Sequence, residues 1–67
     1  MSLTTKNINV GQRIKIRGGS LVWEIASIQD NAIIKMVCIT NPKLGDVHFS
    51  RASVEEAIIR NIIVEAK

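Results

Sequence analysis

Between Val10 and Ile28 the chain alternates and turns in a way that fits a curled β-hairpin. Gly11 opens the run, and Gln12-Arg13-Ile14-Lys15-Ile16-Arg17 then alternates polar with apolar residues, the period of a strand buried on one face. Ile14 and Ile16 are expected to point inward, and Arg13, Lys15 and Arg17 outward. Gly18-Gly19-Ser20 supplies the turn, since glycine reaches positive φ without a steric penalty. In the return strand Leu21, Trp23 and Ile25 share one phase, and Ala26 and Ile28 take over the other. A change of phase within one strand predicts a bulge or sharp bend, the device that curls a small sheet toward closure.

The remaining segments continue the pattern. Gln29-Asp30-Asn31 reads as a turn. Ala32 to Thr40 reads as a third strand that is apolar in both phases, with only Lys35 interrupting, and such a strand needs cover on both faces. Asn41-Pro42-Lys43-Leu44-Gly45 is a strong turn signal, followed by a short strand over Asp46 to Ser50. Ser53-Val54-Glu55-Glu56 has the spacing of a capping box and predicts a helical turn or two ending near Arg60. Ile62-Ile63-Val64 resumes strand character. Residues 1–9 are expected to form a loose lead-in and residues 10–67 a single domain. The expected fold is all-β, an SH3-like small barrel of about five antiparallel strands with a short helical turn before the last.

A domain of 67 residues hides only about 60% of the surface its unfolded chain exposes, so its core is small. Aromatic residues make up 3% of the chain, which leaves branched aliphatics to fill the interior around Trp23 and Phe49. Trp23 shares its phase with Leu21 and Ile25 and is expected in the core. The two-sided third strand, with Ile58, Ile59, Ile62 and Ile63, carries more apolar surface than one small core can hide, so these isoleucines are expected at a homo-oligomer interface. No apolar run is long enough for a membrane span, and a cytoplasmic protein without a membrane partner is expected. Cys38, the only cysteine, sits among Met36, Val37 and Ile39 and reads as a buried apolar thiol.

The formal charge is +3, and its distribution is more informative than its size. Lys6, Arg13, Lys15 and Arg17 all precede Gly18, in a segment without Asp or Glu. Cations on one strand face are spaced to track phosphates, so the leading expectation is a non-catalytic module binding DNA or RNA, with Lys35 and Lys43 extending the surface. The alternative is an oligomeric assembly or protein–protein adaptor module. No enzyme chemistry is expected. His48 has no second ligand at metal spacing, Glu55 and Glu56 diverge as neighbours on a helix, and His48, Ser50 and Ser53 make no nucleophilic triad. No cofactor or metal is expected either.

Val10-Gly11-Gln12-Arg13-Ile14, Gly19, Trp23, Gly45 and Val47 follow an order that resembles the plasmid-borne type II dihydrofolate reductases, over about the middle two-thirds of the chain. The resemblance implies an SH3-like barrel, a small symmetric oligomer and a mobile-element background, and it makes an altered pore enzyme of that kind the third reading, behind binding and assembly. In that family a Val-Gln-Ile-Tyr strand lines a tetrameric pore and contacts both ligands. The corresponding strand here is Val47-His48-Phe49-Ser50, which departs at three of four places, and Ile16 or Arg17 stands where the family has its first-strand lysine.

Overall fold

The computed structural model describes residues 3–66. Five strands form one antiparallel sheet: β1 (Arg13–Ile16), β2 (Val22–Gln29), β3 (Ile33–Cys38), β4 (Asp46–Ser50) and β5 (Ile63–Glu65). A short 3-10 helix (Pro42–Leu44) precedes β4, and helix α1 (Arg51–Ile59) separates β4 from β5. The spatial order is β4-β3-β2-β1-β5. The all-β expectation is met. The sheet itself is open, because β4 and β5 are its edges and no ladder joins them among the described residues.

The expected bulge lies where the phase changes. Ile25 stands opposite Met36 and Ser27 opposite Lys35, which leaves Ala26 as the extra residue. Beyond the start of β1, the Gly11 N–H donates to the Ile25 carbonyl at 2.8 Å and the Ile25 N–H to the Gln12 carbonyl at 2.9 Å. With Ala26 looped out, Trp23, Ile25 and Ile28 all face the same side. Three cross-strand rows then build that side: Ile14-Trp23-Cys38, Ile25-Met36-Val47 and Ile28-Ile34-Phe49. Ile14, Ile25, Ile34 and Met36 from these rows join Ile8 and Val54 in the core, and Ile25 and Ile34 are fully buried. Trp23 is half-buried and packs against this cluster. Burial of each such aliphatic side chain is worth about 1.5–3 kcal/mol, so a handful of them carries much of the stability.

The turns follow their residues. Asp30 and Asn31 take φ of 52° and 55°, the consecutive left-handed pair of a tight hairpin turn. Gly45, with φ of 71°, turns the chain out of the 3-10 helix and into β4. The helix begins earlier than its capping-box spacing predicts. Ser50, not Ser53, is the N-cap, and its Oγ accepts from the Ser53 N–H at 3.1 Å. The reason is that Arg51 is already held by its N–H bond to the Ala32 carbonyl. Glu55 and Glu56 do not cap; they pair one turn away with Arg51 and Arg60 at 3.2 and 2.7 Å.

Within the chain one face of β3 is covered: Ile34, Met36 and Cys38 are buried, whereas Ile33 is exposed and Val37 half-buried on the opposite face, where register places Val37 between Glu24 and Asp46. One further expectation needs correction: Leu21, grouped by phase with Trp23 and Ile25, lies outside β2 and is exposed. The lead-in contributes Ile8 to the core, and Val10, beside it, is exposed. Arg51 ties the lead-in to the body through contacts with the Thr5 carbonyl and the Asn31 Oδ1. Near the chain ends, the Leu3 N–H donates to the Glu65 Oε1 at 2.8 Å and the Ala66 N–H to the Arg13 carbonyl. Among the described residues no helix is long and apolar enough to cross a membrane.

Candidate functional site: an apolar cleft at the sheet seam

The curl produced by the bulge brings the two sheet edges to opposite sides of one cleft of about 300 Å³. Ile16 of β1 and Ile63 of β5 line one side, and Val47 and Phe49 of β4 the other. Trp23 and Met36 form the floor, and Val54 and Ala57 of α1 contribute the remaining wall. The cleft therefore occupies the seam where a closing ladder would lie. Its lining is almost wholly apolar, with Ser53 and Lys15 the two polar residues among it. Ile16 faces this side as its alternation predicts, yet it is 58% exposed because it stands at the rim. Phe49 is 46% exposed for the same reason. Aromatic and branched surface left wet in this way is a binding feature when it gathers in a concavity.

The opposite face of the sheet is polar and of mixed sign. Arg13, Glu24, Val37 and Asp46 form one cross-strand row, and Ser27, Lys35 and His48 another. Arg13 meets Glu24 at 3.5 Å and Lys35 meets Asp46 at 3.2 Å. The Asp46 carboxyl is held below the usual aspartate range, first by the hydrogen bond from Lys35 and then by its charge. Of the cations nominated from sequence, Arg13 and Lys35 thus have carboxylate partners within the sheet. Lys15 lies in the next row, between Val22 and Val64. Arg17 and Lys43 sit at one end of the sheet, because β1 and β3 both run toward it. Lys6 precedes β1 and lies at the other end, near the contacts Arg51 makes with Thr5 and Asn31. The six residues do not form one patch.

The nominated isoleucines also separate. Ile58 and Ile63 are half-buried and pack against the core, whereas Ile59 is 72% exposed and Ile62 is exposed. His48 is exposed on the outer face, opposite Lys35, and Ser53 borders the cleft on the inner one, so the sheet lies between them. Ser50 and Ser53 are engaged with each other, with 2.8 Å between their hydroxyls. Cys38 is buried, its Sγ 3.5 Å from the Thr40 Oγ1. No group of three or more His, Cys, Asp or Glu among the described residues gathers to hold a metal ion.

Comparison with known proteins finds no matching protein family, curated protein or solved structure.

Sequence reasoning missed the cleft. Ile14, Ile16 and Trp23 of its lining were read as inward or core positions, but a void between two edges depends on strands far apart in the chain. The phase change at Ala26 was the available signal, since it announced the curl that brings those edges together.

Proposed function

We propose that this chain is a non-catalytic protein-binding module, built on an SH3-like arrangement of strands, that seats an apolar segment of a protein partner in the cleft between β4 and β5. One observation supports this reading above the others: both edges of the sheet present apolar side chains, Ile16 and Ile63 on one side and Val47 and Phe49 on the other, to a shared and partly open concavity. An extended segment with apolar residues at alternate positions suits such a site, because backbone bonds to an edge give affinity while alternate side chains fill the cleft.

The test is a titration with an extended peptide of alternating valine and threonine, followed by amide chemical shifts. Shifts confined to Ile16, Val47, Phe49 and Ile63, and abolished by Ile16→Glu without loss of fold, are expected. Unchanged shifts, or equal shifts in Ile16→Glu, would retire the reading.

Nucleic-acid binding is the second reading, supported by the lack of an ion-pair partner for Lys15, Arg17 and Lys43 among the described residues. Arg17 and Lys43 share the end of the sheet that carries the exposed Gly18-Gly19 turn. Replacing Lys15, Arg17 and Lys43 together by glutamine should then abolish salt-sensitive retention of DNA or RNA, since each phosphate contact contributes to the salt slope. An unchanged gel shift would remove this alternative.

A further inference from the structure

Three links of the chain meet at one end of the sheet: residues 17–21 between β1 and β2, 39–45 between β3 and β4, and 60–62 between α1 and β5. The Arg17 N–H donates to the Ile62 carbonyl at 2.8 Å and the Ile39 N–H to the Val22 carbonyl at 2.9 Å, which fixes these links to the strands beside them. Every residue of the three links is exposed. Nine large apolar residues are exposed among the described ones, and six of them belong to this end: Ile16, Leu21, Ile39, Leu44, Ile59 and Ile62. Val10, Ile33 and Phe49 lie toward the other end.

The charge at this end has one sign. Residues 16–21, 39–45 and 59–62 contain Arg17, Lys43 and Arg60 and no Asp or Glu. Each cation adjoins an exposed aliphatic residue, as Ile16-Arg17, Lys43-Leu44 and Ile59-Arg60. Arg60 is paired with Glu56 on the helix, and Asp46, which follows the second link, with Lys35. Arg17 and Lys43 have no ion-pair partner among the described residues.

We propose that this end rests on an anionic lipid surface, with its aliphatic side chains in the outer hydrocarbon and Arg17 and Lys43 against the phosphates. A bilayer interface is layered to match, with hydrocarbon beneath and anionic phosphate above. The aliphatics are dispersed over three links instead of following one strand edge, and a fluid layer accepts them without a register. Nucleic acid matches the cations alone: Trp23 and Phe49, the only aromatics, lie outside the links, so no base has a ring there to stack on. The lack of a long apolar run excludes crossing by a helix, but shallow insertion combined with charge needs no such run. The proposal goes beyond the protein-binding reading and does not rest on it, since of the six aliphatics Ile16 alone also lines the cleft.

The full chain should sediment with vesicles of equal parts phosphatidylcholine and phosphatidylserine, and should stay in solution with phosphatidylcholine alone. Lys43→Gln should weaken binding about fivefold, the share of one cation near an anionic surface. Leu44→Ser should weaken it about tenfold through lost insertion, whereas Val10→Ser, at the other end, should leave it unchanged. All three positions are exposed, so the circular dichroism of each variant should stay native. No sedimentation with the anionic vesicles would overturn the proposal, as would no loss in Leu44→Ser or an equal loss in Val10→Ser. Retention of a DNA duplex without vesicle binding, weakened by Lys43→Gln and indifferent to Leu44→Ser, would overturn it in favour of nucleic acid. An oligomer that Leu44→Ser reduces to single chains, again without vesicle binding, would overturn it in favour of self-association.

Discussion

Asp46 shows how one side-chain contact becomes a dependence on pH. Its carboxyl titrates below the ordinary aspartate value because Lys35 hydrogen-bonds and attracts the ionised form. A depressed folded-state value means the unfolded chain binds the proton more readily. The contribution is therefore complete above about pH 4 to 5, where an unperturbed aspartate is ionised, and is lost as pH falls through the lowered value. Both partners are substantially exposed, so the effect on stability is small. Lys35→Gln should raise the Asp46 carboxyl toward its ordinary value in an NMR titration, and no movement would show that Lys35 is not the cause. Core residues act on a larger scale. Ile34 is fully buried on the interior strand β3, between Ile28 and Phe49, and Ile34→Ala should cost about 2–5 kcal/mol, read as a lower urea midpoint. That is a large share of the stability available to a small domain. Ile14 and Ile25 were legible as inward from local sequence, whereas the choice of Ile34 over Ile33 was not, because both phases of that strand are apolar. Nor was the pairing of Arg13 with Glu24, because it depends on the register of two strands.

At the scale of elements, the phase change in β2 translated directly into the bulge at Ala26, since an apolar set that changes phase along the chain keeps one face only by means of an extra residue. Deleting Ala26 should leave Ile25, Ser27 and Ile28 in simple alternation, with both isoleucines on the core face and the strand straightened. The change would be read as an uninterrupted ladder of cross-strand NMR contacts from the Ile25 and Met36 pair to the Ile28 and Ile34 pair. An Ile28 side chain turned to the wet face would contradict that account. The helix start was harder to read. The capping-box spacing of Ser53-Val54-Glu55-Glu56 pointed to a start three residues too late, because Ser50 has a serine rather than a glutamate three residues on and so lacks that signature. The long-range bond from the Arg51 N–H to Ala32 fixes the earlier start. Ser50→Ala should destabilise the fold by about 1 kcal/mol through the lost cap, whereas Glu56→Ala should change it by only a few tenths. An equal effect of the two substitutions would argue that Ser50 does not cap.

For the whole molecule, the open seam is the feature that sequence patterning left hidden. Alternation specifies which side chains face inward, but it carries no measure of whether the last edge reaches the first. Here β5 pairs only with β1, and the space beyond it stays as a cleft.

The bond between Leu3 and Glu65 has a practical corollary. With residues 3 and 65 held side by side, a few glycines can splice residue 3 to residue 66, and the polypeptide can be reopened at the exposed Gly18-Gly19 turn. Such a circular permutant should retain the native spectrum. The same adjacency makes the domain an insert that a loop of a host protein can carry with little rearrangement at the junction.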